Sequence, residues 1–256
     1  MQKKLLVLSM VGVGLVALFA SLLLGDKSEA KGIGLPTHAQ LQKALRDVVA
    51  EPNGGFGFQM WATVVDRDGV VRMVVFSGNA RGDQWPGSRV ISAQKANTAN
   101  AFSLPKLALS TGNLFTAAQP GGSLFGLQFS NPVATDVAYR GPSQNIGTAK
   151  DPMVGNKIGG VNVFGGGLPL YDSEGKLMGA IGVSGDSSCA DHNIAWKVRH
   201  KLNLDNVPGG VSPTKDDNIV YDITNGVSTS GWGHPACTPK STQVAKELPQ
   251  TQMTKR

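Results

Sequence analysis

The sequence predicts an α/β fold of the α+β kind, an antiparallel sheet packed by helices, and three observations carry that expectation. Residues 60–65 and 70–76 are β-branched runs on either side of Asp66-Arg67-Asp68-Gly69. Residues 168–171 and 177–183 repeat the layout around Asp172-Ser173-Glu174-Gly175-Lys176, and both connections are hairpin-turn chemistry in which a glycine takes positive φ without steric cost. Two helical segments, Ser88–Phe102 and Ser188–Lys201, follow the hairpins.

Residues 1–30 place Lys3 and Lys4 before an apolar run from Leu5 to Leu24 and end in Ser28-Glu29-Ala30, the layout of a secretory signal cut after Ala30. A run of about 20 residues is also long enough for a single uncleaved span. Export would make the protein periplasmic or secreted, with membrane contact only through the signal segment. The net charge of +6 falls by one when Lys3, Lys4 and Lys27 leave with Asp26 and Glu29. The basic balance suits an anionic small ligand. Nucleic acid is not expected as a partner, since no patch interleaves Lys/Arg with aromatics. Cys189 and Cys237 are the two cysteines of an exported chain, which points to a disulfide closing a loop of about 48 residues.

After a Gly/Pro linker, Thr37 caps a helix with Gln40 completing a capping box; Leu41, Leu45, Val48 and Val49 form its buried stripe, and His38 is expected in its exposed first turn. Residues 78–87 form a polar loop holding Arg81, Asp83 and Trp85. Ser88 is read as the cap of the next helix, whose buried face of Val90, Ile91, Ala93, Ala96, Ala99 and Phe102 implies close packing. Lys95 lies in its middle, open to a solvated or a ligand role. Residues 104–159 form a long loop with a short helix near 107–114; a loop of that length is functional or oligomer-forming. Gly179 and Gly182 weaken a strand interior and mark a close approach of another backbone or a ligand.

The glycine loop at Ser184-Gly185 runs into the helix Ser188–Lys201, with Ser187 and Ser188 as caps and Asp191 in the first turn, so its free N–H groups can hold an anion. Past Leu202 a short strand is expected over residues 218–222. The polar, charged residues from Lys240 onward are expected to be disordered.

Four stretches in order resemble the GlcG/HbpS-like family of haem-binding proteins: the strand pair around Val65-Asp66-Arg67-Asp68-Gly69, the helix from Ser92 to Phe102, Gly165-Gly166-Gly167-Leu168-Pro169-Leu170, and Gly179-Ala180-Ile181-Gly182-Val183-Ser184-Gly185 followed by Asp191. The resemblance implies a single profilin-like domain over residues 31–202, here followed by a C-terminal extension over 203–256. It also implies homo-oligomers, and haem as the cofactor of some members. The long loop and the cysteine-bearing tail depart from the family core and leave the ligand site open.

Haem iron takes an imidazole, thioether or phenolate, and its propionates take cations or backbone N–H groups. Of His38, His192, His200 and His234, the two candidates for the iron are His192, beside the glycine loop, and His234, brought near it by the disulfide. Lys95, Ser184, Gly185 and Asp191 complete the candidate cofactor set. Each histidine also has a structural or surface reading, and Arg81, Arg89 and Arg199 are open to pairing with carboxylates. Gly182-Val183-Ser184-Gly185-Asp186 fails as a hydrolase elbow, because Asp186 stands where that turn needs glycine. Without a catalytic pair, a binding protein for haem or a similar anionic molecule is the first reading. A ligand-free assembly protein and an enzyme acting on a small carboxylate or on haem are the alternatives.

Overall fold

Helix α1 (His38–Val49) starts at the Thr37–Gln40 capping box and buries Leu41, Leu45 and Val48. The computed structural model describes residues 34–252, so the signal expected over residues 1–30 lies outside the described residues. His38 is half-buried rather than exposed. Its Nε2 lies 3.1 Å from the Val74 carbonyl and 3.3 Å from that of Gly147, which draws the imidazole against the chain.

The two expected hairpins form β1 (Trp61–Asp66) with β2 (Val71–Phe76), and β3 (Gly167–Tyr171) with β4 (Leu177–Ser184). They join edge to edge through β1 and β4 in an antiparallel four-stranded sheet of order β2-β1-β4-β3, with Trp61 opposite Ser184 and Asp66 opposite Gly179. Residues pointing to the same side alternate along each strand. Trp61, Val65, Val74 and Ala180 therefore meet Ala93, Ala96 and Ala99 of helix α2 (Ser88–Phe102) in one core cluster. The approach is very close at Gly182, where a Cβ would stand 1.9 Å from the Ser92 carbonyl oxygen and 2.4 Å from the Ala96 nitrogen. The glycine is there because the helix backbone is.

Helix α3 (Ser188–Lys201) packs beside α1 against β4 and β3. Ser187 caps it by accepting from the Ala190 N–H, so of the two serines the outer one does the capping. At α2 the expectation of a Ser88 cap is corrected. Ser88 is the first helical residue and Gly87 before it offers no side chain, leaving that helix start uncapped.

Three further corrections concern the loops and tail. Residues 107–114 do not form an α-helix: Leu104 and Leu107 close a tight turn and only Thr111–Leu114 turns as a 3₁₀ segment, because Asn113 reaches back to the Ser110 N–H and hydroxyl. Residues 218–222 contribute a single bridge, Val220 to Gly233; Asp222 is taken up by the Ser228 hydroxyl and Ser230 N–H, which bends the chain out of register. The polar end holds helix α4 (Pro239–Lys246), started by Thr238 with proline at its first position. Buried side chains of α3 hold it and the residues after it: Asn193 donates to the Ser241 carbonyl at 3.1 Å and Trp196 to that of Pro249, past the helix, at 2.8 Å. Tertiary contact overrides composition here.

Candidate functional site

The expected cofactor set comes together in space. Lys95 extends from mid-α2 past the end of β4, where its Nζ donates to the Val183 carbonyl at 3.2 Å and meets Asp191 in the first turn of α3 at 2.6 Å. The other Asp191 oxygen accepts the Asp186 N–H at 2.9 Å. Both members of the pair are buried, and burial raises the Asp191 carboxyl to about 6 despite the Lys95 ammonium beside it. Asp186 in turn accepts the N–H groups of Phe56, Gly57 and Phe58, tying the loop before β1 to the glycine loop after β4.

His192 and His234 lie behind this pair, on either side of Gly165. The Gly165 N–H points to His234 Nε2 at 3.4 Å, and a Cβ on Gly165 would stand 3.1 Å from that of His192. His234 Nδ1 donates to the Pro235 carbonyl at 2.7 Å; His192 Nε2 lies 3.2 Å from the Asn218 side-chain oxygen. Both rings are enclosed. Burial, aided for His192 by Arg199, lowers their pKa values to about 3 for His192 and about 4 for His234, so both are neutral at pH 7. A Cβ on Gly166 would meet the Asp191 Cβ at 2.9 Å and Lys95 Nζ at 3.2 Å. The backbone of residues 165–167 is thus pressed onto the cluster. The disulfide expected between Cys189 and Cys237 is present and closes the same region from the tail side. The predicted residues form a locked joint between α2, α3, β4 and the tail.

The remaining cations are similarly engaged. Arg199 pairs bidentately with Asp217 at 2.7 and 2.8 Å, both fully buried. Arg89 grips Asp151 and donates to the Ala138 carbonyl, and Asp151 also accepts the Gly147 and Met153 N–H groups. That clamp lays the long middle loop along α2, so the loop is a wall rather than a free excursion. Among the described residues no three His, Cys, Asp or Glu side chains gather as a metal site.

An open cleft does exist, at the uncapped start of α2. Its cavity volume is about 170 Å³, and it is lined by Trp61 of β1, Arg81, Gln84 and Pro86 of the polar loop, Val90 of α2, and Tyr139 and Ile146 of the middle loop. That is below the roughly 300–1,000 Å³ of drug-sized ligand sites, room for a small molecule or for one edge of a larger one. Trp61 and Gln84 are 4% and 7% exposed, yet Trp61 Nε1, Gln84 Nε2 and Gln84 Oε1 have no hydrogen-bond partner. Leaving each such group unmet costs on the order of 1–3 kcal/mol. The α2 start supplies a further pull on negative charge, since neither a side-chain cap nor an acidic residue occupies its first turn. Arg81 sits at the mouth, donating one N–H to the Ser143 carbonyl at 2.8 Å. Sequence reasoning singled out Arg81 and Arg89 and passed over Gln84, Trp61 and Tyr139; reading Ser88 as the cap hid the open start of the helix.

With this geometry in hand, comparison places the chain. Residues 37–199 match the family described as haem degrading protein HbpS-like. The chain belongs to that family, whose characterised reading is haem-related. Among solved structures, Klebsiella pneumoniae protein ORFY is 25% identical, with 65% of this chain and 90% of that one covered at a TM-score of 0.43. A haem complex of PduOC is 25% identical over 66% and 96% at 0.46, and a double mutant of HbpS from Streptomyces reticuli is 20% identical over 64% and 85% at 0.39. No curated protein matches the chain significantly.

Proposed function

We propose that the protein is an exported binder of haem or a similar anionic small molecule, and that its ligand occupies the cleft at the start of α2. The observation that carries the reading is an open, mostly apolar cleft with Arg81 and the uncapped, acid-free start of α2 on its rim, a setting that favours an anionic group on an apolar body. Membership of a haem-related family and the basic composition support the same class of ligand. The signal-like residues 1–30 support a periplasmic or secreted location.

Titrating the purified protein with haemin and following the Soret band tests the reading, with Gln84→Leu and His192→Ala alongside. Saturable uptake that weakens in Gln84→Leu and survives in His192→Ala is expected. Uptake lost in His192→Ala and unchanged in Gln84→Leu would return the site to the buried cluster.

A second reading, homo-oligomer formation, is supported by the middle loop, which leaves Phe125 59% and Phe129 82% exposed. Light scattering on the wild type and Phe129→Ser reads it directly: a multimer is expected, with a lower mass in the variant.

A further inference from the structure

We infer that Tyr139 is the residue of this chain that ligates haem iron, its phenolate oxygen meeting the metal at the mouth of the cleft. The inference rests on the cleft being the ligand site. It starts from what the described residues can offer an iron, which takes an imidazole, thiolate, thioether or phenolate. His192 and His234 are 0% and 2% exposed, sealed in the joint between α2, α3 and the tail. Cys189 and Cys237 are bonded to each other, and Met60, Met73, Met153 and Met178 are buried. His38 turns Nε2 to the Val74 and Gly147 carbonyls, and His200 turns Nδ1 to Asp205 from the last turn of α3. Neither lines the cleft.

Three tyrosines remain, and burial separates them. Tyr171 is enclosed and donates its hydroxyl to the Leu104 carbonyl at 2.7 Å, and the Tyr221 hydroxyl is buried. Burial raises the pKa of both phenols, which opposes the phenolate form that an iron takes. Of the three, only Tyr139 lines the cleft, and it is 70% exposed. Its backbone is fixed all the same: Arg89 donates to the Ala138 carbonyl at 2.9 Å, and the Tyr139 N–H to that of Thr135 at 3.1 Å. Among the described residues nothing takes its hydroxyl. The cleft fits one edge of a porphyrin. At about 170 Å³ it does not hold the whole macrocycle, so an edge enters against Pro86, Val90 and Ile146 and the iron stays toward the mouth. The groups its propionates take are on the same rim, Arg81 and the N–H groups of the α2 start, which no side chain caps. On ligation the phenol O–H bond breaks, its proton passes to solvent, and an oxygen lone pair binds ferric iron with no change of oxidation state.

Haemin and iron-free protoporphyrin IX, titrated into the wild type, Tyr139→Phe, His38→Ala and His200→Ala, test the inference, with resonance Raman spectra of the haemin complexes. The wild type is expected to show phenolate–iron vibrations. Tyr139→Phe should lose them, shift the Soret band and weaken haemin on the order of 10-fold or more, since disturbing even the group that supports a ligand costs a metal site that much. The two histidine variants should match the wild type. Protoporphyrin should bind the wild type and Tyr139→Phe alike, because without iron it asks only for the walls and the cations. Haemin affinity and spectra unchanged in Tyr139→Phe, with Gln84→Leu still weakening uptake, overturn the role of Tyr139 and leave the cleft standing. Equal weakening of haemin and protoporphyrin in Tyr139→Phe also overturns it, since the ring is then a wall and not a ligand. Haemin uptake indifferent to both Tyr139→Phe and Gln84→Leu sinks the cleft reading as well.

Discussion

Two polar regions flank the same helix, and they are built on opposite principles. At the middle of α2, Lys95 and Asp191 are buried and matched, with the glycine loop, the Gly165–Gly167 backbone and the tail closed over them. At its start, an open cleft is walled by Trp61, Gln84 and apolar side chains, with Arg81 on its rim. The lesson is that buried charge in a fold of this kind marks a joint between elements, while the open cleft is walled mostly by neutral groups. A charge left unpaired in the interior costs far more than a neutral dipole does, so the buried charges are matched within the chain.

Breaking the joint should give the largest effect. Lys95→Ala strands the Asp191 carboxylate and is expected to cost about 3–5 kcal/mol in urea unfolding; a loss below about 1 kcal/mol would mean the pair is not the keystone described. Replacing Cys189 and Cys237 together by alanine frees the tail from α3 and should cost about 2–4 kcal/mol, read by the same unfolding curves.

Acid should sharpen the contrast, because the joint holds His192, His234 and Asp191, whose buried side chains are strongly shifted. His192 and His234 have folded pKa values of about 3 and about 4 against an ordinary 6.5. Between about pH 4 and 6.5 the unfolded chain therefore holds two more protons on them, and this part of the stability, complete above 6.5, is lost as the pH falls. Asp191, raised to about 6 from an ordinary 3.8, works the other way: the folded state holds its proton more tightly, a contribution present below 3.8 and lost as pH rises through 6. The net is about one proton between pH 4 and 6, a fall of about 1.4 kcal/mol per pH unit of acidification. His234→Gln should flatten that slope. The smallest effect has the opposite sign: Gln84→Leu replaces a buried amide by an apolar side chain and is expected to raise stability by about 1 kcal/mol while weakening ligand binding. A destabilised Gln84→Leu variant would show that the amide is structurally engaged after all.

Much of the frame was legible in the sequence because it rests on local signals. Turn glycines set both hairpins, the Thr37–Gln40 box set α1, and Gly182 announced the close approach that α2 makes. Lys95, Asp191, His192 and His234 were also correctly grouped, since strand, loop and helix order forces them together. What pattern could not show was whether the group faced outward. Its closure depends on Gly165, Gly166 and the tail, which reach it from across the chain. The cleft was hidden for a related reason. Trp61 reads as one more strand aromatic and Gln84 as one more loop residue until Arg89 and Asp151 bring Tyr139 and Ile146 over to face them. The tail helix failed on composition, because Pro239–Lys246 is held by Asn193 of α3 and the residues after it by Trp196 through the Pro249 carbonyl.

The tail has one more consequence. Helix α3 carries an amide, an imidazole, a guanidinium and an indole into the interior, and each has a partner from later in the chain: Asn218 for His192, Asp217 for Arg199, Ser241 for Asn193, Pro249 for Trp196. A chain cut after Lys201 would keep every strand of the sheet, and the bonds of Asn193 to Asn53 and Arg199 to Pro169, but lose those four. The shortest self-sufficient unit of this protein is therefore longer than the segment it shares with its family, and the last fifth of the chain is the outer half of its core.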